Sequence, residues 1–257
     1  MSSADQNPTD VVIAKIPQVT LAFWIMKICA TTLGETAGDL LSMTLRVGYA
    51  VSCLILITMF LIALACQLKS KKYRPSLYWT VILATSTAGT TMSDFMDRTL
   101  KLGYTTGTLL LLTLLITILV LWRFSTGSLS VTNVKTTKDQ LFYWSAILVS
   151  NTLGTALGDF LSDSSGLGFA GGALLIGGLI GLVTLAHFIS PVSKVILFWI
   201  AFVLTRPFGA TMGDLLTKNH AQGGLGFGTI GSSLILLTIL VGLVLWTNHK
   251  QNQKGLT

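Results

Sequence analysis

The sequence predicts an all-α membrane protein, in which eight transmembrane helices form four tandem helical hairpins with pseudo-fourfold, or two-by-two, symmetry about the membrane normal. The first observation behind this fold class is composition. Of the 257 residues, 51% are hydrophobic and only 11% are charged, whereas soluble domains carry about 25% charged residues. A helix needs about 20 apolar residues to cross a bilayer. Eight runs of this length occur, at about 18–38, 49–68, 77–96, 104–122, 141–160, 168–188, 195–215 and 228–246.

The second observation is an internal repeat. A unit of two apolar runs occurs four times, and in each copy a tryptophan is followed by a glycine ten residues later and an aspartate fifteen residues later. Because every unit crosses the membrane twice, the four units point the same way and are related by rotation about the membrane normal. Each tryptophan lies near a helix end and is expected to anchor that end at the membrane interface. The copies contain Trp24, Gly34 and Asp39; Trp79, Gly89 and Asp94; Trp144, Gly154 and Asp159; and Trp199, Gly209 and Asp214.

The charges predict how the chain crosses the membrane. Eleven basic residues fall in the connections that share a side with the two termini, and four fall on the opposite side. This bias predicts that both termini are cytoplasmic. It also explains the net charge of +7 without a nucleic-acid partner. The predicted segments are a cytoplasmic tail at 1–17, repeats 1 and 2 at 18–123, a cytoplasmic linker at 124–139, repeats 3 and 4 at 140–247, and a cytoplasmic tail at 248–257.

The W-x9-G-x4-D pattern of the four units resembles a known family. It is similar to bacterial inner-membrane proteins built from four tandem two-helix repeats, whose repeat has no known function. The resemblance covers nearly the whole chain and implies the same architecture and a multi-pass location in the bacterial inner, or plasma, membrane. It implies no activity.

A polar stripe follows the first helix of each unit. Positions 7, 11, 15 and 18 after the tryptophan lie on one helical face, and fifteen of the sixteen residues there are polar. The stripe consists of Thr31, Glu35, Asp39 and Ser42; Ser86, Thr90, Asp94 and Asp97; Asn151, Thr155, Asp159 and Ser162; and Arg206, Ala210, Asp214 and Thr217.

Membrane aspartates on this stripe indicate a cation site. A carboxylate at the bilayer centre costs about 2.5–3.5 kcal/mol on insertion scales, so such residues face a bundle interior or an aqueous cavity. Two carboxylates about 7 Å apart repel by about 2–2.5 kcal/mol at an effective dielectric constant near 20. Four that converge on one axis therefore require a bound cation or protons. The predicted metal ligands are Asp39, Asp94, Asp159, Asp214, Glu35 and Asp97, and the predicted pathway is lined by Thr31, Ser86, Thr90, Asn151, Thr155 and Thr217. An alternative is that each aspartate only caps a hairpin or bonds to a neighbouring helix.

Carboxylate, hydroxyl and amide oxygens suit hard divalent ions, with manganese the first candidate and magnesium the second. The cation is then a transported substrate, and no resident cofactor is expected. Lys27 and Arg206 also lie on the inward side and are predicted to be counter-ions. Lys27 is expected to extend its amine to the cytoplasmic interface. The deeper Arg206 would obstruct an open pore, which favours a carrier over a channel.

The favoured function is therefore a secondary transporter, in the export direction and with proton coupling, and not an enzyme. Its expected partners are the lipid bilayer and the cation substrate, and the oligomeric state stays open. One alternative is a carrier of organic cations or polyamines, whose ammonium groups would bind the same aspartates. A second is an intramembrane acid–base enzyme, and a third is a scaffold or sensor that transports nothing.

Overall fold

The computed structural model describes residues 17–70, 73–134 and 136–254, and these ranges contain helices but no strand. Residues 1–16 and 255–257 of the two predicted tails lie outside the described residues. The long helices begin and end within a few residues of the predicted runs, except that the last continues to Lys254 and includes part of the predicted C-terminal tail. They are α1 (Leu21–Asp39), α2 (Tyr49–Lys69), α3 (Pro75–Asp94), α4 (Tyr104–Thr126), α5 (Thr137–Asp159), α6 (Gly168–Ile189), α7 (Lys194–Thr217) and α8 (Gly228–Lys254).

Among the described residues, five of these helices are long and apolar enough to cross a membrane: α2, α4, α6, α7 and α8. Their mean hydropathy runs from 1.7 for α7 to 2.5 for α2. The three others, α1, α3 and α5, each carry one of the four repeat aspartates and several threonines or serines. The chain is therefore a multi-pass membrane protein whose most polar long helices are the first helices of repeats 1, 2 and 3.

The polar helices are enclosed by the apolar ones. Helices α1, α3, α5 and α7, here called the inner helices, form a closed ring in which α1 and α5 each contact both α3 and α7. Each outer helix packs against the inner helix of the following repeat: α2 on α3, α4 on α5, α6 on α7 and α8 on α1. The two helices of one repeat thus pack mainly against helices of other repeats and little against each other. This placement explains why α1, α3 and α5 tolerate so many polar residues.

Glycine sets the distance between neighbouring inner helices. At the tenth position after each tryptophan, a Cβ added to the glycine would lie closer than 3.0 Å to the residue at position 7 of the next repeat. Such close backbone approach is the usual role of small residues between membrane helices. The pairs close the ring in order and are Gly34 with Ser86, Gly89 with Asn151, Gly154 with Arg206, and Gly209 with Thr31.

Three of the four repeat tryptophans lie in the protein interior and Trp24 is partly buried, so the prediction that all four anchor the helix ends at the membrane interface is wrong. Trp79, Trp144 and Trp199 are at most 5% exposed, and Trp24 packs at its edge, 5.3 Å from the Phe23 ring. The cause is the ring of inner helices, which turns these positions towards one another. They join a buried aromatic cluster whose other members are Phe23, Tyr78, Trp122, Tyr143, Phe198 and Phe202.

Gly89→Ala tests the close contact. The new Cβ would lie 2.9 Å from the carbonyl carbon of Asn151, and a backbone atom cannot give way as a flexible side chain does. We expect the free energy of unfolding to fall by about 1–3 kcal/mol, measured by circular dichroism in mixed detergent–SDS micelles. Gly181→Ala on α6 is the matched control, because a Cβ there meets no atom within 4 Å. Equal stability of the two variants would contradict the proposed role of glycine.

Candidate functional site

The polar stripe lies inside the ring of inner helices. Every residue at positions 7, 11 and 15 after the four tryptophans is buried, with at most 5% of its surface exposed. These positions form three successive layers from the aromatic cluster towards the far end of the inner helices. The first layer is Thr31, Ser86, Asn151 and Arg206, the second is Glu35, Thr90, Thr155 and Ala210, and the third is Asp39, Asp94, Asp159 and Asp214.

Arg206 occupies the centre of the ring and is fully buried. Its Nη2 atom lies 2.9 Å from Glu35 Oε2 and donates to the hydroxyls of Thr90 at 2.5 Å and Thr155 at 2.6 Å. Its Nη1 atom donates to the Thr31 carbonyl at 3.3 Å. Thr90 in turn donates to Glu35 Oε2 at 3.3 Å. One side chain from α7 thus bonds to α1, α3 and α5, which fits the predicted role of Arg206 as an internal counter-ion.

Lys27 is also fully buried, so the prediction that it extends to the cytoplasmic interface is wrong. Its Nζ atom lies 4.1 Å from the centroid of the Phe202 ring and donates to Asn151 Oδ1 at 3.5 Å. The Asn151 amide donates to the hydroxyl of Thr85 at 2.9 Å. The amine is therefore held by a ring face and an amide oxygen inside the bundle, because the aromatic cluster covers the route to the interface.

The four aspartates come together as two pairs, each joined by a basic residue. In the first pair, Arg98 Nε lies 2.7 Å from Asp94 Oδ1 and Arg98 Nη2 lies 3.6 Å from Asp159 Oδ2. The arginine belongs to repeat 2 and reaches its own aspartate and that of repeat 3. Asp94 Oδ2 is buried and has no hydrogen-bond partner among the described residues.

Lys218 plays the same part in the second pair. Its Nζ atom lies 2.9 Å from Asp39 Oδ2 and 3.1 Å from Asp214 Oδ1, so it joins repeat 4 to repeat 1. Burial by itself would lower the pKa of Lys218, which lies just beyond the end of α7, but the carboxylates of Asp214 and Asp39 raise that pKa above its usual value. The amine therefore remains charged between them.

Arg98 and Lys218 are two of the four basic residues counted above on the side opposite the termini, and the sequence pattern was not used to predict their contacts with the aspartates. The signal was available, because each lies four residues after an aspartate of its own repeat, at a spacing that brings two side chains together on a helix. At the corresponding position, repeats 1 and 3 carry Met43 and Asp163. The structure therefore replaces a ring of mutually repelling carboxylates by two ion-paired groups.

One acidic group has the spacing of a metal site. Glu35, Asp39 and Asp214 each offer a carboxylate oxygen, and these three oxygens lie within 4.8 Å of one another. Two helices, α1 and α7, supply them. Two basic residues pair with this group: Arg206 with Glu35, and Lys218 with the two aspartates. Oxygens at this spacing could hold a hard divalent cation if Lys218 moved away.

Each residue at position 18 of the stripe is hydrogen-bonded to the residue four positions earlier in its own repeat. Asp97 is buried between α3 and α4, where it accepts a hydrogen bond from Ser93 at 3.5 Å and where a Cβ on Gly107 would collide with it. Thr217 donates to the Gly213 carbonyl of its own helix at 2.9 Å. In the first three repeats a π-helical turn directly follows the aspartate, and its wider i→i+5 bonding changes the direction of the following side chains. These turns are Leu40–Thr44, Phe95–Thr99 and Phe160–Ser164.

Comparison with known proteins agrees with the repeat pattern. A family model described as "Repeat of Unknown Function (DUF347)" matches four segments that correspond to the four repeats, at residues 22–73, 77–128, 142–192 and 197–251. The predicted resemblance to a four-repeat family of unknown function is thereby confirmed. No curated protein and no solved structure shows significant similarity to the chain.

Arg206→Gln tests the central ion pair. The substitution leaves the Glu35 carboxylate buried without its charged partner, and losing one partner of a buried pair costs about 3–5 kcal/mol. We expect the free energy of unfolding to fall by that amount in mixed detergent–SDS micelles. The double variant Arg206→Gln/Glu35→Gln removes both charges and should recover most of the loss. Purely additive losses would contradict direct coupling between the two side chains.

Proposed function

We propose, from the premise that this chain belongs to the DUF347 repeat family, that it is a secondary carrier for a hard divalent metal cation. Manganese is the first candidate and magnesium the second. Transport runs in the export direction and is coupled to protons. The observation that carries this proposal is the buried group of Glu35, Asp39 and Asp214, whose oxygens converge within 4.8 Å beside a lysine that can leave.

In this proposal all eight long helices cross the bacterial inner membrane, with pseudo-fourfold symmetry about its normal and both termini in the cytoplasm. Length supports crossing by the three polar helices. The shortest, α1, has 19 residues, which corresponds to about 28 Å of helix rise. Their burial behind apolar outer helices supports the same arrangement, because buried polar side chains do not meet lipid.

Formal charge supports a divalent substrate. The three carboxylates together with Arg206 and Lys218 carry a net charge of −1. When a divalent ion binds and Lys218 withdraws, the same group becomes neutral, whereas a monovalent ion would leave it at −1. A proton bound while Lys218 is in place gives the same neutrality. Metal binding that releases Lys218 and one proton is therefore a balanced exchange, and it provides the proton coupling.

The two internal cations have different roles in this mechanism. The Lys218 side chain is 21% exposed and that of Arg206 is fully buried. Lys218 can therefore turn towards water and vacate Asp39 and Asp214 as the ion arrives. Arg206 stays between the four inner helices, where its hydrogen bonds to α1, α3 and α5 hold it across the centre of the ring. A fixed positive charge at that place opposes free flow of cations and supports a carrier.

The same geometry favours an organic cation as the second candidate. The Lys218 ammonium group lies between two carboxylates at 2.9 and 3.1 Å, and a primary amine of a polyamine could take its place with similar contacts. Such a substrate would also displace Lys218. The two candidates therefore share one site and differ in which ligand stabilises it.

Asp214→Asn tests the site by transport. The amide keeps the shape of the side chain but removes a negative charge that the metal requires, so we expect manganese flux into proteoliposomes to fall at least about tenfold. Asp163→Asn is the matched control, because Asp163 is exposed and, among the residues that the structure describes, accepts a hydrogen bond only from the Tyr104 hydroxyl, at 3.3 Å. Folded yield of both variants is followed by size-exclusion chromatography. Unchanged flux in Asp214→Asn would remove this site from the proposed pathway.

Lys218→Met identifies the substrate class. Without the competing amine, the true substrate should bind about tenfold more tightly, which corresponds to about 1.4 kcal/mol. Thermal unfolding of purified protein is measured with Mn²⁺, Mg²⁺, Ca²⁺ and spermidine, since a ligand stabilises by RT ln(1+[L]/Kd). We expect the larger shift in Lys218→Met with Mn²⁺. A selective shift with spermidine would establish the second candidate, and no shift with any ligand would contradict both.

A further inference from the structure

A groove opens between the end of α2 and the beginning of α3, at the end of the bundle that contains the aromatic cluster. Its volume is about 1020 Å³, and none of its lining residues belongs to the polar stripe. The basic lining residues are Lys69 and Arg74, and none of the seven is acidic. The lining consists of Cys66, Lys69, Ser70, Arg74, Ser76, Leu77 and Thr80.

The groove has the chemistry of a phosphate site. Lys69 and Arg74 are exposed and present two positive charges, and three hydroxyl side chains lie among the other lining residues. Helix α3 begins here, at Pro75, and the residue that precedes it, Arg74, makes no side-chain hydrogen bond to the first turn. The first-turn amides of α3 and its dipole therefore favour an anion at this place.

An apolar strip leads away from the groove along α2. Ile55, Met59 and Ile62 are 41%, 56% and 60% exposed, and their spacing continues to Cys66, which lines the groove. Residues three or four apart share one face of a helix, and α2 is apolar enough to lie against lipid. A ligand that fills the groove can thus continue along this strip with a hydrocarbon chain.

We propose that the groove binds the headgroup of an anionic phospholipid, with the phosphate between Lys69, Arg74 and the first turn of α3 and one acyl chain along the exposed face of α2. An amphiphile of this class matches both halves of the surface, whereas free phosphate matches only the polar half. The predicted orientation places this end at the cytoplasmic leaflet, whose anionic lipids attract such basic segments. The site is separate from the proposed ion pathway.

Lipid titration of the purified full-length protein in neutral detergent tests this site. The midpoint of thermal unfolding is measured with phosphatidylglycerol, phosphatidylcholine and inorganic phosphate. Phosphatidylglycerol should raise the midpoint, and the other two should not. In Lys69→Gln/Arg74→Gln, the concentration of phosphatidylglycerol needed for half the effect should rise about 25-fold, since each basic side chain near a membrane surface contributes about a factor of five.

Arg123→Gln/Lys194→Gln is the matched control. It removes the same charge from the same end of the bundle, at exposed residues outside the groove, and should respond to phosphatidylglycerol as the unmodified protein does. Equal weakening in both variants would show diffuse attraction to basic residues and overturn the proposal. A full response to inorganic phosphate would also overturn it, because a free anion would then suffice. If the double variant does not purify, Lys69→Gln alone should give about a fivefold change against Arg123→Gln.

Discussion

The close approach of the four inner helices at their glycines is the constraint on which the rest of the structure depends. Because the glycine ten residues after each tryptophan has no side chain, the next inner helix can rest its position-7 residue directly against that backbone. Repeating this contact four times closes a ring and fixes which face of every inner helix points inwards. The polar stripe is buried as a consequence, and each outer helix is left to cover the inner helix of the following repeat.

Burial of so many polar groups is tolerated because the four copies have diverged in complementary ways. Repeat 1 places Glu35 where repeat 4 has an alanine, and repeat 4 places Arg206 where the others have small polar residues. These two side chains meet at the centre of the ring. Repeats 2 and 4 alone carry a basic residue four positions after the aspartate, Arg98 and Lys218, and each pairs with the aspartate of the next repeat as well as with its own. The backbone therefore repeats four times, whereas the basic residues that pair with the aspartates occur in every second repeat.

The two ends of the axis differ. Aromatic rings and the buried Lys27 amine close one end, where ring faces and amide oxygens replace water around the charge. Partly exposed basic side chains cover the carboxylates at the other, and the π-helical turns there redirect the residues that follow. Within the described part of the chain, only that second end combines convergent acidic groups with partly exposed basic partners. In the proposed mechanism the ion therefore enters the site from the aspartate end.

The sequence by itself determined the helices, the repeat and the buried stripe, because apolar length, the recurrence of tryptophan, glycine and aspartate, and helical periodicity are properties of residues close together in the chain. It also identified Arg206 as an unusual buried charge. Only the tertiary structure decided that Lys27 stays inside, that Asp97 faces α4, and that Arg98 and Lys218 stand between the aspartates. Those outcomes depend on which helices are neighbours and on how side chains from different repeats meet, and neither is encoded in the local pattern of one helix.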